Sequence, residues 1–205
     1  GAGPMAIEYA KVLKAQKSEF ITVGNTKKGA NNFKKDIKTH VVLGGIENWL
    51  KNNPSIDFSS YKVIVVVNEH LLGKVTRILI NAGFKNILLE KPGGLNIDDI
   101  QSVNSLAIEN KVDIYIAYNR RFFASTLKLK KLIKADGGVI SFNFEFTEWG
   151  HIIKDLVKDG EILKEWFIQN SSHVVDLAFN LGGNPVEMKS FVSGGQSWHL
   201  KGTIF

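Results

Sequence analysis

The first half of the chain alternates between two hydrophobic patterns. Short β-branched runs, of which KVIVVV at residues 62–67 is the clearest, have the composition of strands buried on both faces. The segments between them carry apolar residues at the spacing of helices that pack on one side. Strands are predicted at residues 19–23, 40–43, 62–67, 86–89 and 112–117, with helices at 5–17, 46–51, 71–82 and 96–109 and a polar helix or loop at 27–35. This alternation predicts an α/β fold with a doubly wound parallel sheet built from right-handed βαβ units.

The pattern changes after residue 118. From 140 to 147, isoleucine and phenylalanine alternate with polar residues, which is typical of an antiparallel sheet with one buried face. Further elements are predicted as helices at 122–134 and 161–181 and a strand at 186–192. We therefore expect two domains, 1–118 and 119–205, the second an α/β domain with an open, mainly antiparallel sheet. Because the opening turn calls for a preceding strand and the last residues are strand-like, we expect a fragment whose second domain is incomplete.

Composition narrows the choice of function. Hydrophobic residues make up 44% and charged residues 22%, which excludes disorder as a description of the whole chain. No apolar run approaches the ~18 residues of a membrane helix, so no membrane partner is expected. The absence of cysteine excludes disulfides and a thiolate metal site and fits a cytoplasmic protein. The net charge of +6 favours an anionic partner, but the lysines are not interleaved with aromatic residues, so nucleic acid is not expected.

A glycine motif opens the first predicted helix. Gly1-x-Gly3-x-x-Ala6 has the spacing of a dinucleotide-binding turn, with alanine as the small third residue. The first glycine permits the tight turn, the second lets the backbone approach a pyrophosphate, and the helix N-terminus offers N–H groups to it. We therefore expect Gly1, Gly3, Pro4 and Met5 to contact a dinucleotide cofactor. A plain glycine turn is the alternative.

The end of the second predicted strand bears on which cofactor is bound. An acidic residue about 20 positions after the glycine motif would bind the ribose 2′-hydroxyl of NAD. Here the chain reads Asn25-Thr26-Lys27-Lys28, with two lysines and no carboxylate. We expect Asn25, Thr26 and Lys27 to contact the cofactor and favour NADP, with NAD possible. A solvated lysine pair is the alternative.

Three further motifs carry a family resemblance. Glu90-Lys91-Pro92 follows one predicted strand, Y-N-R-R-F at 118–122 follows the next, and H-V-V-D at 173–176 lies on a later helix. In this order, after the glycine motif, they resemble the Gfo/Idh/MocA oxidoreductases, relatives of glucose–fructose oxidoreductase and inositol dehydrogenase. The resemblance spans essentially the whole chain. It implies a Rossmann domain, an open-sheet domain that commonly forms homo-oligomers, and NAD(P)-dependent redox chemistry on a small-molecule sugar, cyclitol or nucleotide-sugar.

The resemblance also implies roles for single residues. Lys91 matches the lysine that touches nicotinamide ribose and substrate, and His173 matches the active-site histidine. Further cofactor contacts are implied for Asn68, Glu90, Asn119 and Arg120. The chemistry agrees, because oxidation of a secondary alcohol requires a side chain that holds or moves the hydroxyl proton. An ammonium at the carboxyl edge of a parallel sheet would steady negative charge on that oxygen.

The environment of His173 can be anticipated in part. Ser171 or Ser172 could cap its helix, and a histidine in the first turn would be favoured as the neutral base by the helix dipole. Asp176 lies on the same helical face, where it either orients His173 or lines a helix surface.

One position departs from the family pattern. Many members have aspartate four residues before the histidine, where this chain has Gln169 followed by Asn170. We expect both amides to bind substrate hydroxyls. The departure also supports an alternative, a non-catalytic NAD(P)-binding protein with a regulatory or assembly role. Trp149, Trp166 and Trp198 could stack on a sugar, although core packing is the simpler expectation for most of them.

Overall fold

The computed structural model describes residues 1–157, 159–193 and 197–203. The chain divides into two compact units, Gly1–Ala117 and Tyr118–Phe205. The division lies one residue before the boundary expected from the sequence.

The first unit alternates helices and strands along its whole length. In chain order its elements are α1 Pro4–Ala15, β1 Thr22–Gly24, α2 Lys27–Ile37, β2 Val41–Leu43, α3 Gly45–Lys51, a 3₁₀ turn Phe58–Ser60, β3 Lys62–Val65, α4 Glu69–Asn81, β4 Asn86–Leu89, α5 Ile97–Glu109 and β5 Asp113–Ile116. The predicted alternation is therefore confirmed, and the ambiguous segment at 27–35 is helical. Observed ends differ from predicted ends by a few residues.

All the strands of this unit pair in parallel. β1 pairs with β2, and β4 lies between β3 and β5, with Ile87 opposite Val63 on one side and Ile114 on the other. Parallel neighbours place the carboxyl ends of successive strands at the same edge. The loops that follow β3 and β4 therefore lie side by side, and these loops carry Asn68 and Lys91.

Two apolar clusters hold this unit together. One surrounds β3 and β4, where Phe58 stacks on Phe84 at 4.8 Å between ring centroids and Ile87 and Leu89 are fully buried. The other packs α1 against α2 and β2 and contains Ala2, Ala6, Ala10, Phe33 and Val41. Small residues on α1 let this helix lie close to its neighbours. Ala6, at the third position of the glycine motif, is one of these small residues.

Helix ends in this unit follow local sequence. Asn96 caps α5, since its side chain accepts a hydrogen bond from the Asp99 N–H at 2.9 Å. Gly83 follows α4 with a φ of 97°, a conformation that glycine adopts without steric cost.

The second unit is mainly helical in its described part. Its elements are a 3₁₀ turn Asn119–Phe122, α6 Ala124–Ala135, α7 Gly150–Leu156, α8 Gly160–Lys164, a π-helical turn Phe167–Ser171, α9 Ser172–Gly182, β6 Glu187–Ser193 and β7 Ser197–Thr203. β6 and β7 pair antiparallel. The single helix predicted over 161–181 is thus divided by the π-helical turn.

The strand predicted over 140–147 is not formed. Residues 141–149 are outside any strand, because β6 and β7 pair with each other and no described strand pairs with this segment. The alternation still places Phe142, Phe144 and Phe146 on one side, with successive ring centroids 6.2 and 6.4 Å apart, and Phe142 and Phe144 contact Phe179 of α9. A period of two determines which residues share a face, but it does not supply a hydrogen-bonding partner.

None of the helices in the described residues combines the length and apolar character needed to cross a lipid bilayer.

Candidate functional site

The glycine motif forms an open turn at the start of α1. A side chain at Gly1 is excluded, because its Cβ would lie 1.8 Å from the Val66 carbonyl oxygen, whereas a Cβ on Gly3 would meet no atom within 4 Å. Gly3 is the N-cap of α1, Pro4 is its first residue, and the first turn carries neither a capping side chain nor an acidic residue. Met5 beside it is exposed, and the first N–H groups of a helix have no partner within the helix. The geometry fits an anionic group such as a pyrophosphate.

The turn after β1 places cations at a helix N-terminus. Thr26 caps α2 by accepting a hydrogen bond from the Gly29 N–H at 3.2 Å, and Lys27 and Lys28 occupy the first turn with no acidic residue. Asn25, Thr26, Lys27 and Lys28 are all exposed. Positive side chains are unfavourable beside the positive end of a helix dipole. An anion bound here would offset that cost, as the predicted cofactor phosphate would.

Asn68 has a structural role in this unit. It follows β3 and caps α4, where its Oδ1 accepts a hydrogen bond from the His70 N–H at 3.1 Å. The cap engages one lone pair of the amide oxygen, so a cofactor contact would use the amide nitrogen or the second lone pair.

The loop after β4 is tied to the helix that the glycine motif opens. The Glu90 N–H donates to the Val65 carbonyl at 3.1 Å, and the Tyr9 hydroxyl on α1 donates to Glu90 Oε1 at 2.7 Å. Lys91 is half-buried in this loop and is joined to Pro92 by a cis peptide bond. Glu90, for which the resemblance implies a cofactor contact, thus holds its loop to α1 through Tyr9. Sequence analysis missed Tyr9, which lies 81 residues from Glu90.

The other end of this loop is anchored by Asp99 of α5. Its Oδ1 accepts from Arg77 of α4 at 2.6 Å, and its Oδ2 accepts from the Leu95 N–H at 2.9 Å. A Cβ on Gly73 or Gly94 would lie 2.2 or 2.8 Å from this carboxylate, so a side chain at either position would displace Asp99. Asp99 therefore joins α4, α5 and the Lys91 loop.

The Tyr9–Glu90 pair has a predictable pH dependence. Burial, together with the hydrogen bond to Glu90 and its charge, raises the pKa of Tyr9 well above its usual value of 10.0. Above pH 10 the Tyr9 hydroxyl keeps its proton in the folded chain but loses it in the unfolded chain. The contribution of this pair to the free energy of unfolding therefore decreases as the pH rises past 10. Urea unfolding of wild type and Tyr9→Phe, measured from neutral to high pH, tests this. The free energy of unfolding should decrease less steeply with pH in the variant than in wild type. The exposed Tyr115→Phe is the control, and equal slopes in all three proteins would contradict the prediction.

Tyr118, Arg121, His173 and Asp176 form one cluster in the second unit. The rings of Tyr118 and His173 are 5.7 Å apart and nearly perpendicular, and the Arg121 guanidinium lies 5.9 Å from the Tyr118 ring centre. Arg121 pairs with Asp176 through two hydrogen bonds, of which the one from Nε is 2.8 Å long. These bonds raise the pKa of Arg121, and burial raises the pKa of Tyr118. Asp176 is thus the counter-ion of Arg121 and not a bare surface residue.

The expected dipole effect on His173 is wrong. Ser171 and Ser172 do not cap a free helix end, since the π-helical turn leads directly into α9 and Ser171 has helical backbone angles without a side-chain cap. His173 therefore does not lie in the first turn of an isolated helix. At a free helix end, unpaired N–H groups produce the positive end of the dipole. Here a preceding turn supplies carbonyl groups as partners for such N–H groups.

Glu148 is a site residue that sequence analysis missed. Its carboxylate accepts hydrogen bonds from Trp166 Nε1, from Asn170 Nδ2 at 3.0 Å and from the Ser171 hydroxyl. Gln169 in the same turn is buried, whereas Asn170 is exposed. A carboxylate thus lies against the turn in which the family resemblance expects aspartate. The sequence offered one signal for Glu148 as a site residue, namely its position directly after the alternating apolar segment at 140–147.

The predicted residues fall into two groups. The first unit contains the glycine motif, the lysine pair, Asn68 and the Lys91 loop, and the second contains His173, Gln169 and Asn170. Asn119 and Arg120 also lie in the second unit, in the 3₁₀ turn, where the Arg120 carbonyl accepts from the Thr126 hydroxyl at 2.8 Å. A shared active site of Lys91 and His173, which their implied roles call for, stays a prediction.

The sequence matches no protein-family model and no curated protein. Its fold is similar to several solved structures. The WlbA dehydrogenase from Bordetella pertussis, in complex with NADH and UDP-GlcNAcA, is 15% identical with a TM-score of 0.69, covering 94% of this chain and 61% of that one. An NAD binding oxidoreductase from Klebsiella pneumoniae is 17% identical with a TM-score of 0.67, covering 98% and 58%. The apo scyllo-inositol dehydrogenase from Lactobacillus casei is 16% identical with a TM-score of 0.63, covering 93% and 54%.

The chain therefore spans little more than half the length of these structures. At such low identity the likeness bears on architecture alone. It agrees with the parallel strands and alternating helices of the first unit, and the chain has an α/β fold whose first unit is of the Rossmann type.

Proposed function

We propose that this chain is part of an NAD(P)-dependent oxidoreductase of the Gfo/Idh/MocA type. The reaction is hydride transfer between a nicotinamide cofactor and the hydroxyl or carbonyl carbon of a sugar, cyclitol or nucleotide-sugar. A cytoplasmic location and a homo-oligomer formed through the second domain belong to the same proposal.

The observation that carries the proposal is the link between the glycine turn and the Lys91 loop. An uncapped helix N-terminus with open space at Gly3 fits the cofactor phosphates, and the Tyr9–Glu90 hydrogen bond joins this helix to the loop that carries Lys91. Both lie at the carboxyl edge of parallel strands, where ligands bind in such sheets. The names of the structural neighbours support the choice of cofactor and substrate class. One neighbour is in complex with NADH and a nucleotide sugar, and another is an inositol dehydrogenase.

Each side chain has a separate task in the proposed reaction. When bound, the nicotinamide supplies the hydride chemistry that protein side chains lack. The Lys91 ammonium stabilises negative charge on the reacting oxygen, and the His173 imidazole takes or returns the hydroxyl proton. Tyr9, Glu90 and Asp99 act through the loop by fixing the backbone on either side of Lys91.

The lysine pair provides a test of cofactor choice. Replacing Lys27 and Lys28 by glutamine removes two charges that would face the 2′-phosphate of NADP, so we expect the Kd for NADPH to rise about tenfold. The Kd for NADH, which lacks this phosphate, should change little. Isothermal titration calorimetry of both cofactors measures the two constants.

A matched control lies at the other end of the same helix. Lys34→Gln with Lys35→Gln removes the same charge from the last turn of α2 and should leave both constants unchanged. Equal weakening of NADPH and NADH in the Lys27/Lys28 variant would contradict the assignment to NADP. If wild type binds neither NADPH nor NADH, the proposed function is overturned.

The alternative function is a non-catalytic NAD(P)-binding protein with a regulatory or assembly role. Gln169 favours it, because an amide at the position where the family resemblance expects aspartate cannot titrate. A panel of sugars, cyclitols and nucleotide sugars with NADP or NADPH discriminates between the two. A thermal shift by the cofactor with no change in nicotinamide absorbance would support the non-catalytic protein.

A further inference from the structure

An ion pair fastens the 3₁₀ turn Asn119–Phe122 to helix α9 within the second unit. The Arg121 Nε donates to Asp176 Oδ2 at 2.8 Å, and a second guanidinium N–H donates to Asp176 Oδ1. The Asp176 side chain is 8% exposed and that of Arg121 is 43% exposed. Two parallel hydrogen bonds fix the plane of a guanidinium as well as its distance from the carboxylate. The pair therefore sets both the position and the orientation of the turn on α9.

A second contact joins the same two elements. Tyr118 is the N-cap of the turn, three residues before Arg121, and His173 lies three residues before Asp176 on α9. The Tyr118 and His173 ring centroids are 5.7 Å apart with an interplanar angle of 78°, which is an edge-to-face arrangement. Because residues three apart on a helix share a face, His173 and Asp176 meet the turn side by side.

Arg121 connects the two contacts. The central carbon of its guanidinium lies 5.9 Å from the centre of the Tyr118 ring, within the range of a cation–π interaction. An edge-to-face ring contact is weaker than a bidentate ion pair. The alignment of the Tyr118 ring on His173 therefore depends on the ion pair, and loss of either charged partner releases it.

The orientation of the His173 ring decides what its nitrogens can reach. Rotation about the side-chain bonds moves both nitrogens, and a proton passes only to a nitrogen within about 2.6–3.2 Å of the reacting oxygen. His173 is half-buried, and the Tyr118 ring closes one side of its imidazole. A neighbouring ring held in this way reduces the orientations that the imidazole can adopt.

We propose that Arg121 and Asp176 are positioning residues that act on His173 through Tyr118. The ion pair holds the turn against α9, and Tyr118 then restricts the His173 imidazole to one orientation. The restricted orientation follows from these contacts alone, whereas its effect on turnover rests on the proposed function, in which His173 moves the hydroxyl proton.

NMR of the full chain with isotopically labelled tyrosine and histidine rings tests the orientation. The chain has five histidines, and His173→Gln identifies the His173 resonances by their disappearance. Wild type should show a nuclear Overhauser effect between the Tyr118 and His173 rings. Tyr118→Leu should remove this effect and shift the His173 resonances, because the ring current is lost. Asp176→Asn and Arg121→Met should each remove the effect and shift the His173 resonances in the same direction, because neither variant retains the bidentate pair.

Thr126→Val is the matched control, because the Thr126 hydroxyl is buried and donates to the Arg120 carbonyl of the same turn at 2.8 Å. This variant loses a hydrogen bond of the turn but keeps the ion pair, so the effect between the two rings should persist. Circular dichroism identifies the folded variants, and if one ion-pair variant is unfolded the other decides. Absence of the effect in wild type would overturn the proposal, as would its persistence in a folded Asp176→Asn or Arg121→Met. Equal loss in Thr126→Val would also overturn it, because the effect would then report a loosened turn and not the pair.

Turnover tests the consequence for catalysis. The kcat of Asp176→Asn and of Arg121→Met should each fall about tenfold, since a misplaced catalytic group can cost up to about 100-fold. The double variant should lose no more than the more impaired single variant, because both replacements remove the same pair. Losses that multiply would overturn the pair as one unit. Wild type that turns over no substrate would overturn the proposed function while NMR still decides the ring orientation, and turnover by wild type with an unchanged ring contact in Asp176→Asn would overturn this inference alone.

Discussion

Lys91→Met should abolish turnover while leaving cofactor affinity nearly unchanged. Methionine has similar length but cannot stabilise negative charge on the reacting oxygen or take part in proton transfer. A positioned acid–base group contributes about 10²–10⁴-fold to a rate, so a loss of about this size in kcat is expected. The glycine turn that would hold the cofactor phosphates is untouched by the change. Nicotinamide absorbance measures turnover, and calorimetry measures the Kd of the cofactor.

The control for this experiment is Lys62→Met. Lys62 begins β3, at the edge of the sheet opposite the loops that carry Asn68 and Lys91, and it is exposed. Its replacement removes the same charge and should leave kcat unchanged. Full turnover of Lys91→Met on any substrate that wild type uses would remove Lys91 from the mechanism.

Asp99→Ala should cause the largest loss of stability among the changes considered. The Asp99 side chain is 18% exposed and that of Arg77 is 33% exposed, so truncation leaves a largely buried guanidinium and the Leu95 N–H without this acceptor. Losing a partly buried ion pair together with a backbone hydrogen bond costs about 2–3 kcal/mol, once solvent screening is allowed for. Urea unfolding followed by circular dichroism measures the loss. The freed loop should also lower kcat, because Asp99 fixes the backbone that follows Lys91.

Asp98→Ala separates the contacts of Asp99 from the general effect of a charge at this helix end. Asp98 precedes Asp99 in the first turn of α5 and is exposed. Both variants lose a favourable interaction with the helix dipole, but only Asp99 holds Arg77 and Leu95. Equal loss of stability in the two variants would show that the contacts of Asp99 do not contribute.

The sequence by itself determined the features that depend on neighbouring residues. The β-branched run at 62–67 and the apolar periodicity around it predicted parallel strands and helices, and these are present. The Asn96 cap of α5 and the glycine that ends α4, Gly83, belong to the same class, because both roles follow from backbone geometry within a few residues. The loop after β4 was located for the same reason.

Tertiary structure decided the contacts between residues distant in the chain. Tyr9 meets Glu90 across 81 positions, and Arg121 meets Asp176 across 55. Local periodicity carries no information about which distant side chains pack together, so Asp176 and Glu148 acquired their partners only when the helices were in place. The alternating segment at 140–147 shows the same limit: its pattern fixed which side its phenylalanines share, whereas a strand also requires a neighbouring backbone to complete its hydrogen bonds.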